Sequence, residues 1–524
     1  MDASRMNTLV RRVVSPSDRD SASQFLVDIQ KALEVCQAET DALKDRLSIL
    51  DAERKRLLEA EKTYKSLLAP IHRLPTELLA HIFMILRGEF TLDLSSLPPP
   101  VQLSMVCGRW REVAFATPYL WSYLELVVLH DHPIPPDLPR DMLSSTDGNR
   151  LVRVLQRFLD RSGDYPLVLK LDLFGVPESP PPSYLVNMIS ALVHHSHRWA
   201  SLDLFIQEHT LNLPLWAPIR GRLPLLRELC VGGLGEYEVV QEPTLDLFSA
   251  CPILSVARID SADELILQKR QIACLKLGDW YASSAFYFLN DPSWDCLEHL
   301  GLHDFGYNVD EGYRGQILMK KLKKLEVGAM QHTHIIHSFN SLTAPGLVSL
   351  AIGGPSPKHE GLQFQFSPHS WDNKPIVDFL ARSSCNITRL HFKWAPITGK
   401  DVLHLFQQMP HISSLTIEEC SLHADGRQEN NIVIPAFLES FCLDNSSSSS
   451  KPLLPHLASI ALVVHADVNL QLLLEVLRSR QGRLRAADIA IIGHSDDADI
   501  EEFSAFRCLG LEMTIERYHS WIEH

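Results

Sequence analysis

The sequence has no excess of positive charge. Its 49 Lys and Arg stand against 64 Asp and Glu, a formal charge of -15 over 524 residues. A general grip on a phosphate backbone needs clustered cations in excess, so nucleic acid is not expected as a partner. Paired cysteines are also missing. The ten cysteines are scattered singly, without C-x-x-C or metal-type Cys/His spacing, which reads as small buried hydrophobes in a reducing compartment, with no disulfides. No apolar run approaches a membrane span, and the opening M-D-A-S-R-M-N-T-L-V-R-R-V-V lacks the apolar core of a secretion signal. A cytoplasmic or nuclear chain without membrane contact is expected. Asn386-Ile-Thr388 and Asn445-Ser-Ser447 are then chance matches to a glycosylation pattern.

Catalytic signatures are absent as well. There is no Gly-rich phosphate loop, G-x-S-x-G elbow or H-E-x-x-H, and no cysteine sits in a nucleophile context. His194-His195-x-His197 and His332-x-His334-x-x-His337 read as solvated or core histidines, and the acidic 494–502 lacks the glycine and spacing of a calcium loop. No cofactor, metal or enzymatic activity is expected.

What is present comes in three regimes. Residues 1–22 mix Ser, Arg and Asp without periodicity and are expected to be disordered. Over 23–68, Leu26, Ile29, Leu33, Cys36, Thr40, Leu43, Leu47, Leu50, Arg54, Leu57, Glu61, Tyr64 and Leu68 follow alternating steps of three and four, a heptad seam. Thr40, Arg54 and Glu61 interrupt it. Such a helix either forms a coiled coil with a second copy of the chain or stays single, docked loosely or left in solvent.

The second regime, 70–121, reads P-I-H-R-L-P-T-E-L-L-A-H-I-F, then a Pro-rich break, then L-S-M-V-C-G-R-W-R-E-V-A and T-P-Y-L-W. Leu74, Leu78, Leu79, Ile82, Phe83 and Leu86 recur at helical spacing, as do Leu103, Val106, Cys107, Trp110 and Val113. Helices this short leave apolar surface that needs a partner. The ordered signals Leu74-Pro75-x-Glu77-Leu78-Leu79-x-x-Ile82-Phe83, Val106-Cys107-x-x-Trp110-Arg111 and Pro118-x-Leu120-Trp121 resemble the F-box family, specifically the F-box-like proteins of mushroom-forming fungi. Gly108 departs from the polar or basic residue more frequent there, and a glycine inside a helix weakens it by roughly 1 kcal/mol.

In the third regime, 166–524, the pattern apolar-x-x-apolar-x-apolar returns from L-V-L-K-L-D-L at 167 through starts at 199, 226, 254, 272, 297, 322, 347, 387, 412, 457 and 484. Most steps fall in the 20–29 residue window of leucine-rich repeats, and helical stretches such as Pro375 to Arg382 and Leu470 to Leu477 lie between. Stacking such units gives a parallel sheet lined by helices. The run resembles a divergent leucine-rich-repeat horseshoe: the usual Asn or Cys position holds Leu234, Phe305, Pro355 and Ala395, and once Cys420. The Ser tract at 446–450 reads as a flexible loop. Residues 122–165 read as a linker with a helix, although Trp121, Leu124 and Leu126 already fit the repeat pattern. The expected fold class is therefore α/β: a long N-terminal helix, a small helical F-box, then a repeat solenoid with a parallel sheet.

The F-box resemblance implies a substrate-recognition subunit of a cullin-type ubiquitin ligase, tied to cullin through a Skp-family adaptor. On the matching positions, Leu74, Pro75, Leu78, Leu79, Ile82 and Phe83 are the adaptor contacts it implies, while Val106, Trp110 and Trp121 either pack the motif or touch the adaptor. The alternating x positions of each strand point outward and nominate a surface for an unknown target protein: Arg389, His391 and Lys393 as a basic stripe, with His299, His303 and Lys324, and Trp280, Tyr281 and Trp394 at strand ends. A non-ligase scaffold and a ligand-sensing repeat protein are the alternatives.

Overall fold

The computed structural model describes residues 16–127, 144–176, 181–233, 246–260, 265–278, 282–303, 313, 315–328, 332–354, 371–395, 397–419, 432–442, 453–465, 468–492 and 512–518. Trp280, Tyr281, Leu234, Phe305, Pro355, Cys420, the Ser tract and the acidic 494–502 lie outside the described residues. The chain divides into two compact units, Met1–Ile82 and Phe83–His524. No described helix is long and apolar enough to cross a membrane.

The first unit is dominated by α1, Pro16–Leu67, about 78 Å long at the standard rise per residue. It begins inside the stretch expected to be disordered. Pro16 suits a first helical position, where its missing N–H leaves no bond unmade. Every side chain described in α1 is exposed. Along its surface Lys44–Asp41, Arg56–Glu53, Lys62–Glu59 and Lys65–Glu61 pair at helical spacing, each worth only a few tenths of a kcal/mol. The chain leaves α1 through a 3-10 turn at Pro70–Arg73 and enters α2, Thr76–Arg87, whose first part belongs to this unit.

In the second unit, α3 (Pro99–Val106) and α4 (Gly108–Phe115) follow. The helical spacing over 103–113 suggests one element, but Cys107 is extended at φ -160° and ψ 172° and breaks it. Cys107 Sγ accepts from the Trp110 amide at 3.5 Å, so the side chain caps the second helix. Gly108 is then a first-turn residue with open space around it, and its expected interior-helix penalty does not arise.

The sheet strands are β1 Tyr123–Val127, β2 Leu167–Asp172, β3 Trp199–Phe205, β4 Glu228–Gly232, β5 Val256–Asp260, β6 Cys274–Gly278, β7 His299–His303, β8 Ile317–Leu318, β9 Lys324–Gly328, β10 Leu342–Thr343, β11 Ser349–Gly353, β12 Arg389–Lys393, β13 Ser414–Glu418, β14 Ser459–His465, β15 Ala486–Ile492 and β16 Glu512–Tyr518. All but β8 and β10, which pair with each other, form one sheet in chain order, and every pairing is parallel. Parallel neighbours need crossovers. These carry α5 (Ser145–Arg161), α6 (Ser183–His194), α7 (Ala282–Leu289), α8 (His332–Ser341), α9 (Lys374–Ser383), α10 (Gly399–Gln408), α11 (Pro435–Phe441) and α12 (Leu470–Ser479).

Each of the twelve sequence recurrences holds a strand, and its two closing apolar positions are buried, as Leu229 and Val231 or Leu325 and Val327 are. The sheet starts earlier than position 166. β1 pairs with β2 from Tyr123 to Val127, so part of the expected linker is the first strand. Thr91 bridges to Glu125, and the Leu92 amide donates to the Glu125 carbonyl at 2.7 Å. That contact covers an edge that would otherwise offer unpaired backbone groups.

Three arginines tie successive helices. Arg198, buried after α6, donates to the Leu159 carbonyl at 3.0 Å and Ser162 Oγ at 2.9 Å at the end of α5. Arg382 of α9 donates to the Phe339 and Leu342 carbonyls at 2.6 and 2.8 Å at the end of α8. Arg480, buried after α12, donates to the Phe441 carbonyl that ends α11 at 2.9 Å, and to those of Leu453 and Leu454 at 2.7 and 3.0 Å. A helix end leaves its last carbonyls unbonded, and a guanidinium fork suits them.

Candidate functional site

Around α2, the residues nominated for adaptor contact separate by burial. In the first unit Leu74 and Ile82 are half-buried, Pro75 is exposed, Leu78 is 53% exposed and Leu79 is fully buried. In the second unit Phe83 is fully buried and lies 4.9 Å from Trp110, ring to ring. Trp110 is half-buried, and Val106 is 59% exposed. Leu79 therefore offers no exposed surface, and Phe83 packs on Trp110 instead of facing solvent. Apolar residues at 78 and 79, and again at 82 and 83, populate two adjacent helical stripes, and spacing alone does not say which stripe turns in. Ile85 at 71% exposure and Met105 at 61% were not nominated, although both present apolar surface.

Trp121 fastens these helices to the sheet domain. It is fully buried and its Nε1 donates to the Ala114 carbonyl at 2.8 Å. Its ring meets Phe158 of α5 edge-on at 5.0 Å, and the Arg161 guanidinium stacks 4.5 Å above it. Arg87 makes a second tie, stacking 4.2 Å over Tyr119 while donating to its carbonyl at 3.2 Å. Burial holds the Arg161 pKa below its ordinary value, with Arg157 adding to that.

Residues 71–126 match the F-box-like family model. No curated protein matches the chain. The F-box-like domain so delimited reaches past Trp121 to Leu126 and includes most of β1.

The outward face of the sheet is the second candidate surface. Parallel pairing aligns its positions into rows that cross the strands. One row runs Cys274, His299, Lys324, Ser349, Arg389, and the next Lys276, Gly301, Glu326, Ala351, His391. On these rows Glu326 is a hub. Its carboxylate lies 2.5 Å from Lys324 Nζ, 3.2 Å from His299 Nε2, 3.5 Å from His303 Nε2 and 3.6 Å from Lys276 Nζ. Burial opposes its ionisation, but His299, His303 and Lys324 outweigh that and hold the carboxyl well below the usual carboxylate range. The His299 pKa is raised to about 9 by its contacts with Cys274 Sγ, 3.4 Å away, and with Glu326. Gly301 leaves the necessary gap: a Cβ there would come within 2.9 Å of His303 Nε2 and 3.1 Å of Lys276 Cγ.

The nominated basic stripe is partly neutralised. His391 Nε2 and Lys393 Nζ lie 2.9 and 3.8 Å from Glu418 on the next strand, while Arg389 is exposed. Lys393 Nζ also sits 4.3 Å over Trp394. A cleft of about 680 Å³ is lined by Leu265 to Gln271 with Phe288, Asp291 and Ser293, none of them on a strand of the large sheet. None of the outward-row residues lines it. His194, His195 and His197 are neighbours by ring contact, but among the described residues no three His, Cys, Asp or Glu side chains converge as metal ligands.

Proposed function

We propose that the chain is a non-catalytic substrate receptor of a cullin-type ubiquitin ligase, working in the cytoplasm or nucleus. In this reading the F-box-like domain docks a Skp-family adaptor and, through it, cullin. The outward sheet face holds a target protein, and α1 pairs two copies of the receptor. The family match over 71–126 carries the reading. Exposed Pro75 and Leu78 support it, being apolar groups at motif positions without intrachain cover. The receptor makes and breaks no bonds; it raises the local concentration of the target near the transferring enzyme. The mixed-charge rows around Glu326 and Arg389 suit a polar protein surface better than an apolar small molecule.

Co-purification tests this reading. The full chain should retain a Skp-type adaptor and cullin, and the variant Leu74→Ala with Pro75→Ala and Leu78→Ala should lose both, with its sheet domain still melting normally. Retention of adaptor without cullin would instead make the chain a scaffold outside the ligase. Undiminished adaptor binding by the triple variant would overturn this docking surface.

A further inference from the structure

The seam of α1 carries a directional code beyond the bare pairing of two copies. With Leu26 at heptad position a, Thr40, Arg54 and Glu61 are the polar a residues, while every d position, Cys36 and Leu43 among them, is apolar or Tyr. In a parallel pair a meets a and d meets d, so the polar residues share their own layers and fix the register. An antiparallel pair would instead set Arg54 and Glu61 against apolar d residues. The flanks agree. Parallel helices bring each g residue to the e residue five positions on in the other helix, so Glu39 meets Lys44 and Arg46 meets Asp51, opposite charges each time and twice by symmetry. No g-to-e encounter joins like charges.

Side-chain placement leaves these groups available. Leu43 and Leu47 are 64% and 63% exposed, and Glu39, Arg46 and Asp51 make no ion pair among the described residues. Lys44 pairs with Asp41 at 3.2 Å, an exposed contact exchanged at little cost. Glu61, whose layer would join two like charges, is already met by Lys65 at 2.8 Å, and Arg54 at position a lies beside Glu53 of the other helix in this arrangement.

We propose that α1 joins α1 of a second copy in a parallel, in-register coiled coil that sets Cys36 of one chain opposite Cys36 of the other. This rests on the pairing stated above and adds its direction and register. It concerns a surface separate from the one read by adaptor co-purification, so failure of either leaves the other standing.

The test uses the full chain. Light scattering should give twice the chain mass. Diamide should then form a covalent dimer, two thiols losing two protons and two electrons as the diazene becomes a hydrazine; a disulfide needs Cα atoms about 5.5–6 Å apart, within reach of facing core positions. Cys36→Ser should abolish the cross-link, and Cys36→Ser with Leu57→Cys should restore it, because only a parallel register lets both positions meet their own copies. Lys44→Glu should weaken the dimer by on the order of tenfold, and Glu39→Lys added to it should recover the loss. A monomeric mass overturns the pairing and the register together. A dimeric mass with no cross-link at either position overturns the parallel register alone.

Discussion

The helix α1 and the sheet domain both follow repeating apolar patterns, yet they use them in opposite ways. In the sheet domain the apolar positions are buried within the unit: Leu275, Leu300, Leu325 and Leu350, aligned across four strands, are fully buried. In α1 the described apolar side chains are all exposed, Leu50 and Leu57 included. The repeat unit stacks on its own neighbours and completes its core within one chain. Among the described residues no second heptad helix lies beside α1, so its apolar seam is left without cover of its own kind. Periodicity thus reports that a face will be covered; whether the cover is intramolecular depends on how many copies of the pattern the chain supplies.

That contrast breaks most sharply at Trp121. Trp121→Ala should destabilise the second unit by about 3–5 kcal/mol and leave the helicity of α1 unchanged, which separate thermal transitions followed by circular dichroism would show. A common loss in both would mean the two regions are not independent. Arg480→Ala comes next. Removing the guanidinium strips the Phe441, Leu453 and Leu454 carbonyls of a donor, and chemical denaturation should register a loss of about 2–3 kcal/mol that Arg480→Lys fails to recover.

The smallest effect concerns pH. The raised His299 pKa contributes stability that is complete below its unfolded value near 6.5 and fades as pH rises through about 9. Glu326, depressed, contributes above its unfolded value near 4.5 and loses that as pH falls. The sheet domain should therefore melt highest between about pH 5 and 6.5 and decline as pH rises towards 9, and Glu326→Gln should lower that plateau by roughly 2–4 °C while flattening its alkaline side. An alkaline decline unchanged by the substitution would exclude the hub as its source.

Most of the sheet was legible because its strands share one pattern whose buried positions fall at fixed offsets. Two strands escaped for opposite reasons. β1 overlaps the end of the F-box-like motif, so its Leu124 and Leu126 were divided between two readings. In β16 the segment E-M-T-I-E-R-Y offers only Met513 and Ile515 between polar residues. The arginine ties were illegible: Arg382 in the last turn of a helix is indistinguishable in sequence from an ordinary complement to the helix dipole, and Arg198 and Arg480 lie in turns where arginine is unremarkable. Among the nominated site residues, His299, His303, Lys324, Arg389, His391 and Lys393 all fall at strand positions that are not buried, because side chains alternate between the two faces of a strand. Glu326 as their common partner depends on the register between strands, which no single strand encodes. For α2 the sequence separated apolar from polar but not inward from outward.

The position of β1 has a consequence for exchange between proteins. A cassette cut at Trp121, where the helical motif ends, would leave the recipient sheet without its first strand and the Leu92–Glu125 contact that covers it. A workable transplant must carry the chain through Val127, and with it a strand whose Leu124 and Leu126 are shaped to the host's second strand. Recombination that swaps F-box-like segments among chains of this fold would thus be filtered by strand compatibility, and the segment and the sheet that follows it would be inherited as matched sets.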